Sequence, residues 1–152
     1  AHGNVLRLSL LRAPTYPDPQ ADQGRHQFRF ALYPHRGSPQ SAGVTEAAYR
    51  FNVPLLTAKS GGQDLQQTFF SLDQPAVMLD TLKKAEDSDA LILRLYESRG
   101  TRGKVRLSSS LPIKSAAVVN LLEDELAPLT WQDGGLELDF KPFEIMSVRL
   151  AL

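Results

Sequence analysis

The sequence predicts an all-β fold, an antiparallel β-sandwich with one short helix. Three observations carry this fold class. Short extended runs recur at about the spacing of a sandwich. Several of them alternate apolar and polar side chains, the mark of a half-buried strand. No long helical periodicity and no GxGxxG fingerprint is present, which argues against a doubly wound sheet.

Residues 4–11 read as the first strand, with Val5, Leu6, Leu8 and Leu10 as its apolar set. A loop follows, in which Pro14, Pro17 and Pro19 exclude a helix and a central strand. Gly24 closes it. In the next run, 26–33, Phe28, Phe30 and Leu32 share one face, with Gln27, Arg29 and Tyr33 opposite. Pro34 ends that run. Ser38 is placed to cap a helix with Pro39 at its first position, running to about Tyr49. Residues 49–56 read as extended, and Ser60-Gly61-Gly62 as a turn. Further extended runs are 65–72, 76–82, 90–97, 103–109, 116–122, 136–140 and 143–150. The strongest is 91–97, with Leu91, Leu93 and Leu95 on one face and Ile92, Arg94 and Tyr96 on the other. Asp133-Gly134-Gly135 suits a hairpin turn, because Gly accepts positive φ without strain.

A length of 152 residues suits one domain spanning 1–152. With 42% apolar residues, such a chain buries roughly 68–70% of the surface its unfolded state exposes. Seventeen Lys plus Arg balance 17 Asp plus Glu. That balance argues against nucleic-acid partners and polybasic membrane binding, which need a positive excess. The absence of Cys excludes disulfides, thiolate metal sites and Cys nucleophiles, and it fits a reducing compartment. No apolar run approaches the roughly 20 residues of a membrane span. A strand pattern opening so near Ala1, in a chain without an initiating Met, is expected of a C-terminal piece of a larger multidomain protein.

The candidate chemistry is sparse. His26 and His35 bracket a run at an odd offset, which places them on opposite faces of a regular strand, so no metal site is expected from this chain. Glu137 and Asp139 share a strand face roughly 6.6 Å apart; alternating with three core residues, they read as a solvated sheet face. Glu86, Asp87 and Asp89, and likewise Glu123, Asp124 and Glu125, read as solvated turns. Serines 108–110 lack a GxSxG elbow and a nearby His. Gly100-Thr101-Arg102-Gly103 reads as a hairpin turn with backbone amides able to face an anion. The most unusual segment runs from Arg12 to His26. Arg12, Asp18, Asp22, Arg25 and His26 lie on a loop stiffened by three Pro, and a stiff loop dense in both charges can present a fixed hydrogen-bond pattern to sugar hydroxyls. The alternative is internal pairing of Arg12 with Asp18 or Asp22 to pin the loop.

The same segment resembles a family. Leu8-Ser9-Leu10-Leu11-Arg12-Ala13-Pro14, then Pro17-Asp18, Ala21-Asp22, Gly24, His26, Phe28 and Ala31 to Gly37, is similar to the C-terminal β-region of α-mannosidases, the family 38 glycoside hydrolases, of the cytosolic and bacterial type. The resemblance continues through Gly43-Val44, Ala47-Ala48-Tyr49, Asn52 to Leu56, the string LILRLYESRG at 91–100, Asn120 to Glu123 and Lys141 to Ile145. It covers nearly the whole chain and is weakest at about 57–75.

The resemblance implies a retaining, zinc-dependent enzyme acting on α-mannosidic bonds of mannose-containing glycans. Its nucleophilic Asp and its zinc ligands belong to an N-terminal catalytic barrel outside this chain, so no catalytic or metal-binding residue is expected here. It also implies that the chain packs on that catalytic domain, is inactive alone, and belongs to a cytoplasmic enzyme. Arg12, Asp18 and Asp22 become the substrate-binding candidates. Two other readings stand beside it. A stand-alone carbohydrate-binding module would present Trp131 or Tyr16 to stack on sugar faces, and a structural adhesion-type sandwich would have no sugar role.

Overall fold

A computed structural model describes residues 3–59, 61–62 and 66–152. The predicted turn at Ser60 and the start of the run at 65 lie outside the described residues. The chain divides into two compact units, 1–38 and 39–152.

In the first unit residues 6–37 form turns and extended chain, with no strand ladder among the described residues. The expected strands over 4–11 and 26–33 are therefore corrected. Their apolar faces, Leu6, Leu8, Leu10, Phe28, Phe30 and Leu32, are exposed. A strand needs a regular ladder with a neighbour as well as alternation, and among the described residues these segments form none, Val5 making a single bridge.

The second unit opens with helix α1 (Val44–Asn52). It starts later than the Ser38 cap predicts. Gly43 sits at φ 66°, in the left-handed region, so the turn at 39–42 does not run into the helix. It also ends later, at Asn52, whose side-chain amide donates to the Ala48 carbonyl at 2.8 Å. Val53 is extended because Pro54 disfavours helical backbone before it.

Among the described residues eight antiparallel strands follow: β1 (Phe70–Leu72), β2 (Val77–Lys84), β3 (Leu91–Glu97), β4 (Gly103–Ser109), β5 (Ser115–Val119), β6 (Glu125–Leu129), β7 (Gly135–Phe140) and β8 (Ile145–Ala151). They form a three-stranded sheet, β1-β4-β7, and a five-stranded sheet, β2-β3-β8-β5-β6. The last strand is thus the central one of the larger sheet, flanked by β3 and β5. The inner faces meet in one core. Val105 and Leu107 (β4) with Leu136, Leu138 and Phe140 (β7) pack on Leu93 and Leu95 (β3), Val148 and Leu150 (β8), Ala116 and Val77. This is the sandwich the alternation predicts, with each inward set two residues apart.

Strand β6 escapes a reading by pattern. Pro128 and Glu125 weaken it, but it lies at a sheet edge, where Pro is tolerated. Strand β8 begins at Ile145 instead of Phe143 because Phe143 is left-handed at φ 58°. The hairpin turn at Asp133-Gly134 is as expected. Both residues have positive φ, 51° and 70°, between the bridged pair Gln132 and Gly135. No helix among the described residues is long and apolar enough to cross a membrane.

Candidate functional site

The Arg12–His26 loop is built by its own carboxylates. Asp22 Oδ2 accepts the Ala13 N–H at 3.2 Å across the loop, and Asp18 Oδ1 accepts the Gln20 N–H at 2.9 Å. Ala21 N–H donates to the Asp18 carbonyl, and the His26 ring Nε2 lies 2.7 Å from the Asp22 carbonyl oxygen. The His26 ring stacks on Phe28 at 6.1 Å. Ala13 and Asp22 take left-handed φ values of 45° and 57°, unusual for residues with a Cβ and fixed here by the cross-loop bond. Arg12, Asp18 and Asp22 are exposed. Among the described residues Arg12 forms no ion pair with either Asp, so the expected alternative, Arg12 pinning the loop, is replaced by carboxylate-to-backbone pinning. The loop therefore gathers two carboxylates on one turn system and leaves the Arg12 guanidinium available beside Ala13.

In the second unit the turns read as solvated are not all so. Glu123 is buried. Its carboxylate accepts from Lys83 Nζ at 2.7 Å and from the Glu86 N–H at 2.9 Å, and its carbonyl accepts from Arg149. The Lys83 ammonium holds the Glu123 carboxyl below its usual range, and that carboxylate in turn raises the Lys83 ammonium. The β5–β6 loop is thereby strapped over Ile92, Ala85, Ala90 and Val119 on the outer face of the larger sheet. A left-handed φ of 72° at Glu123 could not be foreseen from an acidic run.

Glu97 is 2% exposed. Its carboxylate accepts the N–H groups of Arg99 (2.9 Å), Gly100 (2.8 Å) and Phe143 (3.0 Å) and the Thr101 hydroxyl (2.8 Å). Burial alone would raise this carboxyl, but the Phe143 and Arg99 amides and Thr101 outweigh it and bring it down to about 2. The amides at 99–100 do face an anion, and it is the protein's own. Sequence pattern missed Glu97 because it closes a strand as an ordinary polar residue.

Glu137 and Asp139 are exposed, opposite Arg106 and Lys104 on β4. Ser109 and Ser110 donate to the Phe69 and Thr68 carbonyls, which ties down the chain before β1. Trp131 is partly buried against the main core, while Tyr16 is exposed. Among the described residues no three His, Asp or Glu side chains converge as a metal-ligand set.

Comparison with known proteins shows what the sandwich is similar to. Residues 76–148 match the model of the glycosyl hydrolases family 38 C-terminal beta sandwich domain. These residues are similar to that family's C-terminal sandwich. Nearly the whole chain, 99% of it, is 48% identical over 157 residues to mouse alpha-mannosidase 2C1 and 47% identical to the human protein of that name. Along 97% of its length it is 36% identical to alpha-mannosidase G of Dictyostelium discoideum. The chain spans 14–15% of the length of these relatives. The family 38 match runs from β2 into β8, and the alignment to the mouse and human relatives covers 99% of the chain.

Proposed function

We propose that this chain is the C-terminal, non-catalytic part of a retaining, zinc-dependent α-mannosidase that hydrolyses α-mannosidic bonds in mannose-containing glycans. The observation that carries the reading is the 48% identity along 99% of the chain to a protein named as an α-mannosidase. In this reading the chain packs on the N-terminal catalytic domain of the same protein, and the exposed apolar faces of the first unit contribute to that packing. In this reading zinc belongs to the catalytic domain of the parent enzyme.

The role of the Arg12–His26 loop follows from its construction. A glycosidase holds its sugar in a defined, partly desolvated pocket. Asp18 and Asp22 each commit one oxygen to the loop backbone, so their positions are fixed before a sugar arrives. Arg12 adds donors, and together the three form one wall of the sugar pocket.

Turnover of an aryl α-mannoside tests the reading. The pure chain, with or without zinc, is expected to give none, and clear turnover overturns the non-catalytic assignment. Sequencing the coding DNA before Ala1 is the complementary test. A long frame encoding a barrel with Asp and His zinc ligands is expected, and a start codon at Ala1 removes the parent enzyme. The parent enzyme is placed in the cytoplasm, which cell fractionation checks.

A further inference from the structure

On the outer face of the larger sheet lies a cavity of about 540 Å³, lined by Asp80, Arg94, Tyr96, Leu121, Phe143 and Ile145, with Thr45 of α1 at its side. Three large apolar side chains surround it in the open: Leu121 at 67% exposure, Phe143 at 70% and Ile145 at 69%. Single exposed apolar residues need no explanation, but three around one cavity do.

Phe143 is also held there. Its backbone is left-handed at φ 58°, a strained state for an aromatic residue. Its N–H is anchored on the buried Glu97 carboxylate, and its ring lies against Gly100, where a Cβ would meet the ring at 2.9 Å. Backbone strain, a buried anchor and a glycine seat fix an exposed ring in one position, which is how an interface anchor is pre-organised. Beside it Arg94 spends one N–H on the Leu121 carbonyl at 3.3 Å, and its buried Nε has no partner. The chemistry of the site is therefore an apolar socket with a cation, Arg94, and a carboxylate, Asp80, in its walls.

We propose that this face is the docking site of a segment of the same polypeptide lying outside residues 1–152, one that inserts an apolar side chain and offers an acidic or carbonyl acceptor towards Arg94. The occupant is taken from the same polypeptide because the chain spans only 15% of relatives that it matches along 99% of itself, so most of such a polypeptide lies beyond it. The proposal rests on the reading of this chain as part of a larger enzyme and names the surface through which it joins the rest.

The test is photo-crosslinking in the full-length protein with Phe143→p-benzoylphenylalanine, and with Ile145→p-benzoylphenylalanine should the first variant fail to fold. The expected result is an intramolecular crosslink to a peptide outside 1–152, with the protein running at monomer mass. Crosslinks joining two copies overturn the proposal in favour of a self-association face. No crosslink at either position, or capture of a separate molecule, overturns it as well. The same probe at Phe30, exposed in the first unit, separates the two failures. Crosslinks from position 30 to the rest of the polypeptide, with none from 143 or 145, leave the larger enzyme standing and remove this surface. A full-length frame with no polypeptide beyond 1–152 removes both.

Discussion

The carboxylate of Glu97 accepts the backbone N–H of Phe143 at 3.0 Å, joining the end of β3 to the turn before β8 across 46 positions of sequence. Around that bond the turn after β3 and the turn before β8 become one structure.

Acid should find this carboxylate. Its folded value is about 2 against an ordinary 4.5, so the folded state binds the proton more weakly than the unfolded one. The stability it contributes is complete above about pH 5 and is lost as pH falls through 4.5 towards 2. The lowered Glu46 and Glu123 carboxyls act in the same direction. Urea midpoints measured from pH 7 to 2 should fall across that window, and Glu97→Gln should flatten the fall. Glu97→Ala, which strips an acceptor from four donors, should cost about 2–4 kcal/mol at pH 7.

Gly135 opens β7 with the Leu107 carbonyl so close that an added Cβ would sit 2.6 Å from it. Backbone cannot swing aside as a side chain does. Gly135→Ala should destabilise by about 2 kcal/mol, read as a drop in urea midpoint at unchanged m-value.

Phe140 is fully buried between the sheets. Phe140→Ala should cost about 3–5 kcal/mol, the range for truncating a large core ring. Thermal unfolding of the pure chain, followed by near-UV circular dichroism, checks it.

In the parent enzyme, Arg12→Ala should raise KM for a mannoside by roughly tenfold, or about 1.4 kcal/mol, with the fold intact. Asp22→Asn keeps a side-chain oxygen for the Ala13 N–H while removing the charge. It separates loop building from sugar contact. An unchanged KM with Asp22→Asn, together with a raised one for Asp22→Ala, would make Asp22 a positioning residue only.

Much of the sandwich was legible because its inward residues obey a period of two. Leu91-Ile92-Leu93-Arg94-Leu95 states its faces outright, and β4 matches its predicted span of 103–109. The Asp133-Gly134 turn was legible for a local reason, since two positive φ values in succession favour these residue types. The failures were non-local. Residues 4–11 and 26–33 alternate as strands do but form no strand ladder among the described residues, and alternation alone carries no information about pairing. Glu123 and Glu97 look like any surface acid in the sequence, because burial is decided by what folds over them. At the candidate loop the residue types were legible, but the pinning bonds of Asp18 and Asp22 depend on left-handed backbone at Ala13 and Asp22 that no residue type there announces.

The central place of β8 sets a timetable for synthesis. As the chain leaves the ribosome, β2–β3 and β5–β6 emerge as two separate hairpins with no shared edge, and only the arrival of 145–151 zips them into one sheet. Until then Leu93, Leu95 and Ala116 share no single sheet. A nonsense codon a few residues before Leu150 would delete the keystone of the larger sheet rather than trim its rim.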